Sequence, residues 1–414
     1  MSLVKGKSKC LAKMESLFER HDIYMDDVPM QHVRSMMETI DWESRLILIN
    51  GPKGVGNSTH LKQFVKLNYA EGDRHVLYCS ADTGYFASHS LVDVAMRFHQ
   101  IGGKRLIIDE VHKFPNWSQE IKEIYDLFSD MRIILSGSSL IQLNSGEGDL
   151  SRRIITYNMP GLSLREYILF ATGLQLEKIS LDELLANPTS FCSRIRKSIR
   201  PLEYFTQYIK VGYYPFYFER EREYTLKVEG VINHIVENEL VRFRNVDLGN
   251  TRKLKALLHV ISEMVPYEVE IAKLSRAIGI KRDTVLKYME YLDEARLTTR
   301  LYANLDTITE LQKPDKLYLD NSNLLYVLSS ITPQIGTVRE TFFANQLLSA
   351  GHRVEYAGYK SGDFRIDNHY VIEVGGADKS YGQIEGIEHS YVAADDIESA
   401  LDRKIPLWAF GFLY

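Results

Sequence analysis

The 414-residue chain has no run of 18 apolar residues, so no membrane-spanning helix is expected. It has three cysteines, Cys10, Cys79 and Cys192. They are too scattered for a metal cluster and odd in number, so reduced thiols are expected rather than a disulfide framework. The basic start, MSLVKGKSKC, lacks the apolar core of a secretory signal, and a cytoplasmic location is expected. An excess of positive charge is also missing. The net charge is -5, so no global field draws nucleic acid, and only a local basic face stays open. What is present is a globular composition, 45% hydrophobic and 25% charged, in a chain too long for one ordinary core.

The first third alternates short apolar runs with helical patterns. Residues 11–40 read as an amphipathic helix broken near Pro29. RLILIN (45–50), HVLYCSA (75–81), RLIIDE (105–110) and MRIILSGSS (131–139) read as buried strands. Such alternation implies a parallel sheet covered on both faces. Residues 166–250 read as mostly helical, broken by Pro188, Pro201 and the GYYP stretch. Residues 251–310 hold two or three helices with a tight turn at Gly279, and 311–414 read as a small α/β unit. The expected division is 1–165, 166–250, 251–310 and 311–414.

Between the first strand and the following helix stands GPKGVGNSTHL (51–61). The phosphate-loop pattern G-x-x-x-x-G-K-[ST] is met by Gly51, Gly56 and Ser58, with Asn57 in place of the lysine. Gly51, Pro52, Lys53, Gly54, Val55, Gly56, Asn57, Ser58 and Thr59 are therefore candidates to wrap an anion with backbone N–H groups. RLIIDE then ends a strand in Asp109 and Glu110. A carboxylate pair at a strand end facing such a loop suits nucleotide hydrolysis, the first acid serving a metal with Ser58 and the second polarising water. Ser136 is a polar strand end that can touch the reacting group, and Arg152 and Arg153 are candidates for stabilising transferred charge.

These stretches, with LIIDEVHKFPNW, ILSGSSL and LSRRIITYNMPGLSLREYI, resemble the prokaryotic AAA-type P-loop ATPases that carry a C-terminal nuclease-like (DUF4143-type) domain. The resemblance covers most of the chain. It implies ATP or ADP with Mg2+ as ligands. In that family the loop lysine contacts the outer phosphates, so Asn57 implies weakened binding and heavily reduced turnover. Lys53 is the cation left in the loop.

Two further constellations follow. In residues 267–302, Ile271, Leu274, Ile278, Val285, Met289 and Leu292 are spaced as two packed helices around Gly279. Lys281, Arg282 and Thr284 begin the second helix, the end a recognition helix presents to DNA. The pattern resembles a winged helix, with LTTRLY as a wing strand. Glu268, Glu270, Glu290, Asp293 and Glu294 leave DNA contact and internal packing both open. Toward the C-terminus, Glu340, Asp363 and Glu373 resemble the acid set of restriction-type nucleases, which use D…(D/E)-x-K with magnesium. The lysine position is Gly375, and Lys379 is the nearest cation. Weak magnesium or manganese binding and little DNA cutting are expected there.

The expected function is a regulatory ATP- or ADP-binding protein with weak or absent hydrolysis. The alternatives are a protein that binds or processes nucleic acid through the last two modules, and an interaction scaffold. A protein partner or a homo-oligomer is compatible with each.

Overall fold

Leu46, Ile47, Leu48 and Ile49 leave a strand no polar face, so it must be covered on both sides. In the computed structural model these residues and Asn50 form β1 (Leu46–Asn50), buried along its length. The structure describes residues 2–137, 150, 152–244, 246–264, 269–304, 312–358 and 361–414, with side chains from Met14 onward. The chain divides into two compact units, residues 1–161 and 162–414. Among the described residues, no helix is long and apolar enough to cross a membrane.

In the first unit, β1 lies inside a five-stranded sheet with β2 (Val76–Ser80), β3 (Arg105–Asp109), β4 (Arg132–Gly137) and β5 (Ile155–Asn158), in the order β2-β3-β4-β1-β5. Each neighbouring pair is parallel. Helices α1 (Ser2–Asp26), α2 (Met36–Thr39), α3 (Asn57–Asn68), α4 (Leu91–Gln100) and α5 (Trp117–Leu127) connect and flank the strands. Leu46, Leu48, Leu106, Ile108, Ile133 and Leu135 join Phe98 of α4 and Ile121 of α5 in one core. The chain leaves β1 for the far edge at β2, returns through β3 and β4, and crosses to β5. In open parallel sheets, ligands bind beyond the carboxyl ends of the strands where the order reverses. Here that is the end of β1, where the glycine loop stands.

β5 is absent from the strands expected above. Ile155, Thr156 and Asn158 are exposed, so this edge strand carries no apolar run. The initial helix begins earlier than expected, at Ser2, and ends at Asp26 before Pro29.

The second unit opens on a capping box. The Ser163 hydroxyl accepts from Glu166 N (3.1 Å) and the Glu166 carboxylate accepts from Ser163 N (3.3 Å). This starts the helix Leu164–Thr172. Pro188 and Pro201 stand at the expected breaks, each as the first residue of a new helix. They begin Pro188–Ser198 and Pro201–Val211, where a missing N–H costs nothing. Helices Leu248–Glu263, Ile271–Ile278 and Arg282–Glu294 follow, with Gly279 at φ 70 closing the second. An antiparallel ribbon, β6 (Thr298–Leu301) and β7 (Lys316–Leu319), comes next. The last element is a five-stranded sheet in the order β12-β11-β10-β9-β8. Its strands are β8 (Val354–Tyr356), β9 (Phe364–Ile366), β10 (Tyr370–Gly375), β11 (Ser390–Ala394) and β12 (Lys404–Pro406). β10, β11 and β12 run parallel, and β9 is antiparallel to both β8 and β10. Tyr356 N donates to Tyr302 O (3.0 Å), joining the ribbon to this sheet.

Candidate functional site

The loop between β1 and α3 is shaped by three glycines. Gly54 (φ 89) and Gly56 (φ 102) occupy the left-handed region, where a Cβ is costly. Gly51 is required by space, since a Cβ there would lie 2.3 Å from Met159 O and 2.9 Å from Asn57 Oδ1. Pro52, Lys53 and Gly54 are half-buried, and Val55 is buried. Ser58 and Thr59, also half-buried, lie in the first turn of α3. A 12-residue helix starting at a glycine turn presents unpaired N–H groups and the positive end of its dipole to an anion. Arg34 braces the loop. It donates to Val55 O (3.5 Å), Pro160 O (2.6 Å) and Gly161 O (2.9 Å). No sequence signal marks this arginine.

Asn57 is 8% exposed and turns inward. Its Nδ2 donates to Gly51 O and Gly137 O, both at 3.4 Å. Its Oδ1 is buried and has no hydrogen-bond partner among the described residues. The amide thus ties the loop to the end of β4, and its donors point away from the loop's outer face.

β3 and β4 carry their polar ends to the same edge of the sheet. Asp109, 3% exposed, accepts from the Tyr78 hydroxyl (2.6 Å) and from the Ser136 hydroxyl. Glu110 N donates to Ser136 Oγ (3.1 Å). The one O–H of Ser136 is therefore engaged with Asp109 in this conformation. Tyr78 was hidden in an apolar run and reads as core; burial first, then Asp109, push its ionisation well up. Glu110 has φ 53 and pairs with His112 Nε2 (3.1 Å). Burial would raise its carboxyl, but His112, then Lys53 and Lys113, hold it below the usual glutamate range. Asp109 and Gly51 are two strands apart at one edge, roughly 10 Å at ordinary strand spacing, which leaves room for a phosphate and an ion.

Arg152 and Arg153 are a correction. β5 is parallel to β1, with Ile47 opposite Ile155 and Asn50 opposite Asn158. Residues preceding Ile155 therefore lie at the amino end of the sheet, opposite the loop. Arg153 pairs there with Asp126 (3.3 Å), and Arg152 is exposed. Within one chain neither joins the loop's site. Ser138 and Ser139, which complete the expected ILSGSS strand end, lie outside the described residues.

In the helix pair of the second unit, Ile271, Leu274, Val285, Met289 and Leu292 are buried and Ile278 is half-buried. Lys281 and Arg282 are exposed and Thr284 is half-buried, with Lys273, Arg276 and Lys287 exposed nearby in sequence. Asp293 pairs with Arg300 (3.3 Å) and Glu294 with Arg244, so two of the acids noted above are engaged internally. Glu268 lies outside the described residues.

Glu340 and Asp363 are bridged by a residue the sequence did not single out, while Glu373 is held separately. Lys316 of β7 places Nζ 2.9 Å from Glu340 Oε2 and 3.0 Å from Asp363 Oδ1. Lys379 pairs with Glu373. Burial first, then Asp363, raise the Glu373 carboxyl. A buried lysine beginning an apolar strand gives no sequence signal of its role.

Residues 43–168 match the family model described as an AAA domain, and residues 202–335 match a domain of unknown function, DUF8612. No curated protein matches the chain. Among solved structures, the Walker-type ATPase paby2304 of Pyrococcus abyssi aligns with 11% identity and a TM-score of 0.41, over 74% of this chain and 99% of that one. The AMPPCP-bound DnaA from Aquifex aeolicus aligns with 17% identity and a TM-score of 0.26, over 65% and 93% respectively.

Proposed function

We propose that the unit containing residues 43–168 binds ATP or ADP with magnesium, hydrolyses it weakly or not at all, and serves a regulatory role. The observation that carries this reading is the glycine loop, which runs from the carboxyl end of β1 into α3 at the edge that also holds Asp109 and Glu110. The match to an AAA domain over the same residues supports it. Both oxygens of Asp109 accept one bond and keep a second lone pair, so its carboxylate fits a magnesium shell, together with the Ser58 hydroxyl. Magnesium would neutralise phosphate charge. Glu110, held anionic and oriented by His112, would accept the proton of a water. Ser58, Asp109 and Glu110 supply no positive charge in place of a lysine at 57, which leaves that task to Lys53 of the loop, and slow turnover follows from that.

ADP or ATP is expected to raise the melting temperature. At a hundredfold excess over Kd the stabilisation is about 2.7 kcal/mol. Calorimetric titration with and without magnesium measures the same binding. No heat and no thermal shift at millimolar nucleotide would refute the reading. Lys53→Ala should weaken binding several-fold while leaving the unliganded melting temperature nearly unchanged, since Lys53 is a half-buried loop cation. Unchanged affinity would show that Lys53 contributes no charge to phosphate.

A second reading, nucleic-acid binding by the winged-helix module expected at residues 251–310, is favoured by the exposed cations around the start of Arg282–Glu294. Counterion release makes such binding salt-dependent. The double variant Lys281→Ala, Arg282→Ala should weaken duplex binding and reduce the salt slope by roughly 2. No duplex binding at low salt by the intact chain would dispose of this reading.

A further inference from the structure

We infer that the pair Glu340 and Asp363 is a cation site closed by the chain's own lysine, with Lys316 standing where a divalent ion would bridge the two carboxylates, and Glu373 held apart by Lys379. The resemblance to restriction-type nucleases implies magnesium at these acids, and the residues present do not fit it. An octahedral magnesium site needs oxygens converging at about 2.0–2.1 Å on one centre. Here the Lys316 ammonium lies between the two carboxylates, 2.9 Å from one and 3.0 Å from the other. One position cannot hold both an ammonium and an ion.

Lys316 is held in place. It is 2% exposed, and its Nζ lies 5.3 Å from the Tyr356 ring centre and 5.1 Å from that of Phe364. The other contacts are likewise internal. Tyr318 donates to Glu340 Oε2 (2.6 Å), and Val374 N donates to Asp363 Oδ2 (2.9 Å). Glu373 is taken up by Lys379 and, with its amide in the orientation that satisfies both groups, by Gln383 at 3.0 Å. Among the described residues no group of three His, Cys, Asp or Glu could hold a metal. Lys316 also belongs to the β6–β7 ribbon, while Asp363 directly precedes β9 of the C-terminal sheet and Glu373 lies on its strand β10. The closed cluster therefore joins those two elements by charge, beside the Tyr356–Tyr302 backbone bond. An ion and this junction are mutually exclusive. The inference does not depend on nucleotide binding.

The test uses the full chain and manganese alone, without nucleotide. Lys316→Met keeps the length of the side chain and removes its charge. It should lower the melting temperature in chelator and gain a manganese-dependent rise that wild type lacks. Adding Asp363→Asn to Lys316→Met should abolish that rise. A folded Lys316→Met protein with no manganese response would overturn the inference. If Lys316→Met does not fold, wild type decides alone, by electron paramagnetic resonance of manganese. Bound manganese that disappears in Asp363→Asn would overturn the inference, and its absence supports it. Manganese-dependent nicking of supercoiled plasmid by wild type, lost in Glu373→Ala, would also overturn it.

Discussion

Asn57→Lys is expected to strengthen ATP binding by tenfold or more. A charge-assisted contact to phosphate is worth roughly 1.5–3 kcal/mol, which is about one to two powers of ten. The wild-type residue gives up little in exchange. Its two hydrogen bonds are long, at 3.4 Å each, and its Oδ1 has no partner among the described residues. The new ammonium would be poorly solvated in the empty loop, so the unliganded variant should melt slightly below wild type and gain more from nucleotide. Hydrolysis should rise as well, because Asp109, Glu110 and His112 already stand at that edge. Calorimetry and phosphate release measure both effects. If neither affinity nor turnover moves, the missing lysine is not what limits this site.

Asp109→Ala should have the larger structural cost. It removes the acceptor of two buried hydroxyls, Tyr78 and Ser136, and each unsatisfied group costs about 1–3 kcal/mol. The Ser136 hydroxyl also carries Glu110 N, so the turn at Glu110 should loosen with it. A substantial fall in melting temperature is expected, together with loss of any magnesium dependence of nucleotide binding. Asp109→Asn keeps the volume and one acceptor, and should fall between the two. An Asp109→Ala protein that melts with wild type would mean that the Tyr78–Asp109–Ser136 chain does not hold the sheet edge.

Legibility from sequence followed chemistry that is local. β1 to β4 are runs of apolar residues with turn signals on either side, and a strand buried on both faces has no other pattern. The glycine loop and Gly279 were legible because each needs a backbone conformation few other residues adopt. β5 was not, because an exposed edge strand looks like a loop. Missing β5 had a second consequence. Its register against β1 decides which end of the sheet Arg152 and Arg153 occupy, and strand order is set by packing across the whole unit. The acids Glu340, Asp363 and Glu373 could be named from their types, but Lys316 could not. Its partners are 24 and 47 residues away, and only the folded chain brings them together. Asn57 was visible as a departure, while the inward turn of its amide depends on the carbonyls of Gly51 and Gly137.

The stem of Lys379 lies on Gly375, so that a Cβ at 375 would stand 2.7 Å from Lys379 Cγ and Cδ and 2.8 Å from its Cβ. Real contacts of that kind are not tolerated without movement of the backbone between the two positions. Glycine at 375 and lysine at 379 therefore constrain each other sterically. A lone change of Gly375 to lysine meets a collision before it can offer its ammonium to Glu373, and a lone loss of Lys379 strips Glu373 of its counter-ion.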